Sequence, residues 1–400
     1  MKYNKYNKFF NIKYFIYLII FIIILYLLYI FYKEISKKSN KELFNNNYYN
    51  LDNDNINYYR CPEKKLGQIT QMVFDKNNIN NNNGKWDIYI PCGYNNIENE
   101  LLDIKLNNNN NNSNNKNKYI FGVNGCDSIV AKNHIWQSLV KCYGRAGASQ
   151  LMPESYILYD EQDLKLFKKD YNPNNIYILK KNVQRKEGLK LTQSYKDVIN
   201  GLNDDYKVAQ KYVRDLYLVN GRKVNLRIYL LIVIKNNKIH FYVSNIGKCI
   251  YTKKKYDDKD LDFESNITSY HLDITIYKTN PRYFDDLIKY IDNNSVKGNG
   301  DKLFNRINEL IKNVSKCLSK NLYQSANIKN TVCFQLFGID IIFNNNLHPY
   351  LLEMNKGPDM TPKDDEDTKM KYTVQNDMFK TVGIISNNIG NNSFSEIYSS

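Results

Sequence analysis

Four hundred residues, 42% of them hydrophobic, suffice to bury a core spread over two or three domains or lobes and exclude a disordered chain. The excess of 56 Lys and Arg over 41 Asp and Glu gives a formal charge of +15, which favours an anionic partner: nucleic acid, a phosphorylated ligand, an acidic polypeptide or an anionic membrane surface. Lys, Asn, Ile and Tyr are used heavily along the whole chain, so part of that charge is compositional and its sign alone selects no partner.

The predicted elements begin with a basic stretch over residues 1–13. Tyr14 to Tyr32 then carries no charged residue. As a helix it would measure roughly 28 Å at ~1.5 Å per residue, close to the ~30 Å hydrocarbon thickness of a bilayer. No small-residue cleavage pattern follows, so the expectation is an uncleaved, single-pass membrane anchor. Lysines flank it on both sides (Lys2, Lys5, Lys8 and Lys13; Lys33, Lys37, Lys38 and Lys41), and charge counting leaves the orientation open. Residues 33–60 are polar and Asn-rich and read as a tether. Two more Asn tracts, "NNINNNNG" after Lys76 and "NNNNNNSNN" over 107–115, read as enlarged surface loops between strands.

From Tyr119 the pattern becomes regular. A strand, a Gly-containing turn and an amphipathic helix with Ile135, Leu139 and Cys142 on one face are expected over 118–144. Strands follow in "NIYILKKN", "GLKLTQSY", "YKVAQKYV", "KVNLRIYLLIVIKNNKIHFYVS" and "CFQLFGIDIIFNNNLHPYLLEMN", and a helix in "KLFNRINELIKNVSKCLSKNLYQ". Antiparallel hairpins are expected to turn at Asn236 and Asn237 and at the three asparagines 344–346, which makes the fold class α+β. The seven cysteines are odd in number, scattered and without a C-x-x-C pair. A disulfide framework or zinc site is therefore not expected, and a reducing compartment is favoured.

The last hairpin carries the chemistry. Glu353 and Asn355 share a strand face, and pairing about the asparagine turn brings Asp340 near them. Two adjacent carboxylates repel unless a cation lies between them, and an all-oxygen group suits Mg²⁺. Lys180 ends a strand just before a basic loop containing Gly188, a layout able to hold phosphates, although no G-x-x-x-x-G-K-[ST] motif is present.

"MPESYIL" at 152–158, "YILKK…RKEGL" at 177–189, "VAQKYV" at 208–213, "GRKVNLRIYLLI" at 221–232, "FQLFGIDII" at 334–342 and "LLEMN" at 351–355 occur in that order. Together they resemble the tubulin-tyrosine ligase family, over roughly Asp127 to Pro358. The resemblance implies an ATP-grasp fold with antiparallel sheets and flanking helices, a first lobe over 61–170, the central and C-terminal lobes over 171–385 and a polar tail over 386–400. It implies ATP and Mg²⁺ as cofactors. Lys180 and Lys132 would contact phosphates, with Arg185, Glu187 and Gly188 in the loop above them. Gln210, Lys211 and Tyr212 would receive adenine through backbone groups. Lys223, Asn225 and Arg227 would lie in the R-K-x-D-x-R element near the nucleotide, with Arg227 and Lys180 serving the transferred phosphoryl group. Asp340, Glu353 and Asn355 would hold the metal.

The implied reaction joins a free amino acid to a carboxylate of an acidic protein acceptor, such as a tubulin tail, through an acyl phosphate. It needs no protein nucleophile, so His134, His240, His271 and His348 have no required role. The sequence departs from the family at Asn225, which replaces the acid of R-K-x-D-x-R, at Lys186, where glycine is usual, and at Lys248, where arginine is frequent. "DI" also replaces "TN" after the "HL" at His271. The alternative is a catalytically silent ATP-grasp domain that binds microtubules or another acidic protein from a membrane. Nucleic-acid binding is not expected, because the aromatic residues fall in strand cores rather than alternating with Lys and Arg. Access to ATP implies a body that faces the cytosol.

Overall fold

Runs of β-branched and aromatic residues separated by Asn and Gly turns build two sheets in the computed structural model, which describes residues 17, 26–27, 56–82, 85–104, 118–183, 188–257, 259, 261–268, 274–328, 330–386 and 392–400. The chain divides into two units, Met1–Asp52 and Asn53–Ser400. In the first, Tyr17, Tyr26 and Leu27 are helical and exposed. The expected membrane span over 14–32 otherwise lies outside the described residues, among which no helix is long and apolar enough to cross a membrane.

In chain order the second unit contains β1 (Asn57–Tyr59), α1 (Gln68–Lys76), β2 (Asn80–Asn81), β3 (Ile88–Tyr89), α2 (Ile97–Asp103), β4 (Lys118–Phe121) and α3 (Lys132–Leu151). There follow β5 (Ser155–Ile157), α4 (Glu161–Asp170), β6 (Tyr177–Lys180), β7 (Leu189–Thr192), β8 (Val208–Lys211), β9 (Leu218–Val219), β10 (Arg222–Lys235) and β11 (Lys238–Tyr251). The last are α5 (Phe284–Asn294), α6 (Asn299–Leu318), β12 (Thr331–Phe343), β13 (Pro349–Asn355), α7 (Asp365–Val382) and β14 (Phe394–Ser399).

The larger sheet has the order β14-β11-β10-β12-β4-β3-β1-β2, with β13 also on β12 and β9 on β10; the smaller is β5-β8-β6-β7. The antiparallel hairpins are present. β10 and β11 turn at Asn236 and Asn237, whose φ of 51° and 62° suit a tight two-residue hairpin that asparagine tolerates. β12 and β13 turn through 344–348, where Asn344 Oδ1 accepts from the amides of Asn346 and His348. Beyond the expectation, β12, β4, β3, β1 and β2 pair in parallel.

Period-two alternation places the large sheet between two cores. On β10, Leu226, Ile228, Leu230, Ile232 and Ile234 enter one core with residues of α3, α5 and α6. Tyr229, Leu231 and Val233 enter the opposite core with residues of α1 and α7. The smaller sheet buries Tyr156, Tyr177, Leu179 and Ala209 against Phe167 of α4.

Several sequence expectations change. The end of the tether is not free chain, because Asn57–Tyr59 forms β1 and pairs with Asn80–Asn81 from the first Asn tract. Asparagine disfavours strands, but a strand needs only backbone groups, and an existing sheet edge supplies partners for them. Residues 394–399 of the expected polar tail pair with β11 as β14, burying Phe394. The cysteine reading is overturned: Cys61 bonds Cys92 and Cys142 bonds Cys317, while Cys126, Cys249 and Cys333 are buried thiols. The partners are 31 and 175 residues apart, so packing rather than spacing brings them together, and the reducing-compartment reading loses its basis.

Candidate active site

On β10 the face that carries Val233, Leu231 and Tyr229 continues with Arg227, Asn225 and Lys223. The same alternation thus passes from apolar to polar along one strand. Beyond that point the smaller sheet takes over as cover. Its β6 turns Tyr177 and Leu179 to its own core and leaves Ile178 and Lys180 on the other face. The candidate site forms where these two surfaces meet.

Arg227 and Asp340 are direct cross-strand neighbours, and so are Asp340 and Glu353. The Arg227 guanidinium donates through Nε and Nη2 to the two Asp340 oxygens at 2.5 and 2.9 Å, a bidentate pair. Gly338, two residues before Asp340, leaves room for it: a Cβ there would lie 3.1 Å from Arg227 Cδ and from Pro358 Cβ. Asn355 Nδ2 donates to Glu353 Oε1 at 3.3 Å, and Lys132 Nζ at the start of α3 stands 3.6 Å from Glu353 Oε2. Between Asp340 and Ile341 the β12–β13 register shifts, leaving Leu352 outside the paired positions; its carbonyl accepts from Lys180 Nζ at 3.4 Å. The structure therefore brings together Lys132, Lys180, Arg227, Asp340, Glu353 and Asn355.

The electrostatics follow from burial. Lys180 is 5% exposed, and desolvation lowers its ammonium to about 8 against the pull of Glu353. Desolvation and the nearby Lys180 charge lower Lys223 to about 7. Burial pushes the Glu353 carboxyl up, but Lys132, Lys180 and Arg227 outweigh it and hold it at about 2. Burial raises Asp340, with Arg227 opposing. Asp340 and Glu353 on adjacent strands, with the Asn355 side-chain amide beside them, offer oxygen donors of the hard kind that Mg²⁺ takes, and in this arrangement both Asp340 oxygens accept from Arg227.

On the side towards the smaller sheet, Lys223 Nζ donates to Asn266 O at 2.8 Å and Tyr212 Oη at 3.2 Å, and lies 4.4 Å from the Tyr212 ring centre. Asn225 Nδ2 donates to Thr268 Oγ1 at 3.0 Å. The Asn225 Oδ1 is buried without a partner among the described residues, an acceptor open to a donor from a ligand. Gln210 lies inside the small sheet, donating to Ser155 Oγ at 3.0 Å. The amides of Lys211 and Tyr212 donate to Glu154 O and Ile176 O, so neither amide is free for a base in this arrangement. Gly188 accepts from the Lys181 amide at 2.9 Å; Arg185 and Glu187 lie outside the described residues. Of the histidines, His134 is exposed, His240 pairs with Glu396 and His348 with Gln150 O, while His271 lies outside the described residues.

Residue patterns alone do not single out Gly338, Lys356 or the Leu352 carbonyl. A glycine inside an otherwise apolar strand and a lysine immediately after Asn355 are the signals that mark the first two.

A model described as "Tubulin-tyrosine ligase family" matches residues 109–391. Among curated relatives, the chain is 27% identical over 260 residues to "Probable tubulin polyglutamylase ttll-9" of Caenorhabditis elegans, covering 60% of each chain. It is 26% identical over 281 residues to "Probable beta-tubulin polyglutamylase" of Tetrahymena thermophila, covering 64% of this chain and 23% of the relative. With "Tubulin monoglutamylase TTLL4" of Homo sapiens it shares 24% identity over 289 residues, covering 65% and 23% respectively. These alignments span 60% or less of the relatives' own lengths. The family match takes in β6, β10, β12 and β13, the strands that bring the acidic pair and its cations together, and extends over well more than half of the residues: this chain belongs to the tubulin-tyrosine ligase family.

Proposed function

We propose that the chain is an ATP-dependent ligase that joins an amino acid, glutamate foremost, to a carboxylate of an acidic protein acceptor of the tubulin-tail kind. The observation that carries this reading is the group formed by Lys132, Lys180 and Arg227 around the Asp340–Glu353 pair. Tubulin and glutamate come from the relatives' names, and the +15 charge is consistent with an acidic acceptor.

In the proposed mechanism, Lys132 and Lys180 hold the phosphates of ATP, and Lys223 and Asn225 lie on the nucleoside side. Mg²⁺ held by Asp340, Glu353 and Asn355 would supply neutralisation of triphosphate charge. Arg227, fixed by its two bonds to Asp340, stabilises the transferred phosphoryl group. An acceptor carboxylate oxygen attacks the γ-phosphorus and ADP leaves, giving an acyl phosphate. The amine of the incoming amino acid then attacks the acyl carbon, and phosphate leaves as the amide forms. Positioning and charge do the catalytic work, with no covalent intermediate on the protein.

The test is incorporation of labelled glutamate into tubulin by the full chain with Mg-ATP, located by mass spectrometry. Glu353→Gln removes one carboxylate charge from the donor set and is expected to lower incorporation about 100-fold or more. ATP binding without incorporation from any amino acid would overturn the ligase reading and favour the silent binder, which Asn225 supports; Asn225→Asp is then the rescue to try. The anchor over 14–32, with the body facing the cytosol, is a further proposal. Release of the protein from membranes by carbonate at high pH would refute it.

A further inference from the structure

Lys356 directly follows Asn355 and is only 7% exposed. Its ammonium ion-pairs with the Asp127 carboxylate and donates to Asn95 O at 3.3 Å. Its carbonyl accepts from Gln335 Nε2 at 3.1 Å, while Gln335 Oε1 accepts from the Val123 amide at 3.0 Å. Both connections run from the end of β13 to the segment between β4 and α3. Within that segment Asp127 O accepts from the Ala131 amide at 3.2 Å, and Ala131 caps the helix whose first residue is Lys132. On the other side of Lys356, a Cβ on Gly357 would lie 2.7 Å from the Tyr94 ring, so the chain passes close against that side chain.

The two ends joined in this way are the two that converge on Glu353: Asn355 at 3.3 Å and Lys132 at 3.6 Å. The Asp127 side chain is 51% exposed whereas that of Lys356 is 9% exposed. A desolvated cation facing a solvent-screened carboxylate gains little net stability, so the pair's main effect is geometric.

We propose that Lys356 is a positioning residue whose ion pair with Asp127 fixes Asn355 and Lys132 at the separation needed for a divalent cation and a phosphate to share the site. This rests on the reading of Asp340, Glu353 and Asn355 as the cation site given above. Lys356→Met keeps most of the side-chain volume and removes the charge; Asp127→Asn weakens the same pair from its half-exposed side.

The measurement is calorimetric ATP binding to the full chain at a series of Mg²⁺ concentrations. Each single variant is expected to need about 10-fold more Mg²⁺ for half-maximal binding, and the double variant no more than either single one. Lys356→Arg should retain most of the wild-type Mg²⁺ response. Unchanged Mg²⁺ dependence in Asp127→Asn, or effects that add in the double variant, would overturn the proposal. Wild-type protein that binds ATP without any Mg²⁺ dependence would instead overturn the underlying cation-site reading, an outcome visible before any variant is made.

Discussion

Lys223 shows how one residue's surroundings set a measurable pH response. Its ammonium is buried and lowered to about 7, while the unfolded chain keeps the ordinary value near 10.5. Between those values the unfolded state binds more protons, so this residue's contribution to stability rises as pH rises through the window and its penalty is fully present below about 7. Lys223→Met should therefore compare most favourably with wild type near pH 7, and the comparison should worsen as pH approaches 10. Thermal unfolding of both proteins across that range checks it; a pH-independent difference would show that Lys223 is not titrating. Asn225, on the same strand face, keeps a buried unpaired oxygen that would, as aspartate, carry a buried charge. The asparagine that departs from the family thus removes an electrostatic demand while keeping an oxygen acceptor at that position.

At the scale of elements, α3 joins two bodies. Its first half is fastened to α6 by the Cys142–Cys317 bond and by Tyr143 Oη donating to Asn313 O at 2.8 Å. Gly144 then adopts φ 68° and ψ 168°, a conformation that side chains resist. The second half is held to the small-sheet region by Arg145, which pairs with Glu154 and Asp163 and donates to Ser155 O at 2.7 Å. Crosslinking residues this far apart restricts the unfolded chain strongly, so Cys142→Ser should lower stability by about 3–5 kcal/mol in non-reducing buffer and leave it unchanged in reducing buffer. Denaturant unfolding with and without reductant checks both halves of that statement.

The strands β10, β11 and β12 were legible because each is long and rich in β-branched, aliphatic and aromatic residues, and the short β13 because an asparagine turn returns the chain onto β12. Asp340, Glu353 and Asn355 were legible as neighbours for the same reason, since period two and one hairpin bring them together. β1, β2 and β14 were not legible. They are short and interrupted by Asn, Ser or Glu, and their pairing depends on edges created elsewhere in the fold. The disulfides and the Lys356–Asp127 pair were hidden because each joins residues distant in sequence.

For the whole molecule, one strand serves two purposes. From residue 229 onwards β10 lies between the two large cores, and at Arg227 and before it the strand's polar face supplies the candidate site. Its neighbour β12 divides in the same way, with Phe334 and Leu336 giving way to Gly338 and Asp340. No linker insulates binding from packing. A calorimetric endotherm should accordingly shift upward with added Mg-ATP, by an amount set by ligand concentration over its dissociation constant. Loss of nucleotide affinity on heating should coincide with loss of tryptophan fluorescence. Binding that vanished well before the endotherm would mean that the two ends of β10 melt separately. If they melt together, repacking the hydrocarbon side of these strands becomes a handle on catalysis from a distance, with no ligand contact altered.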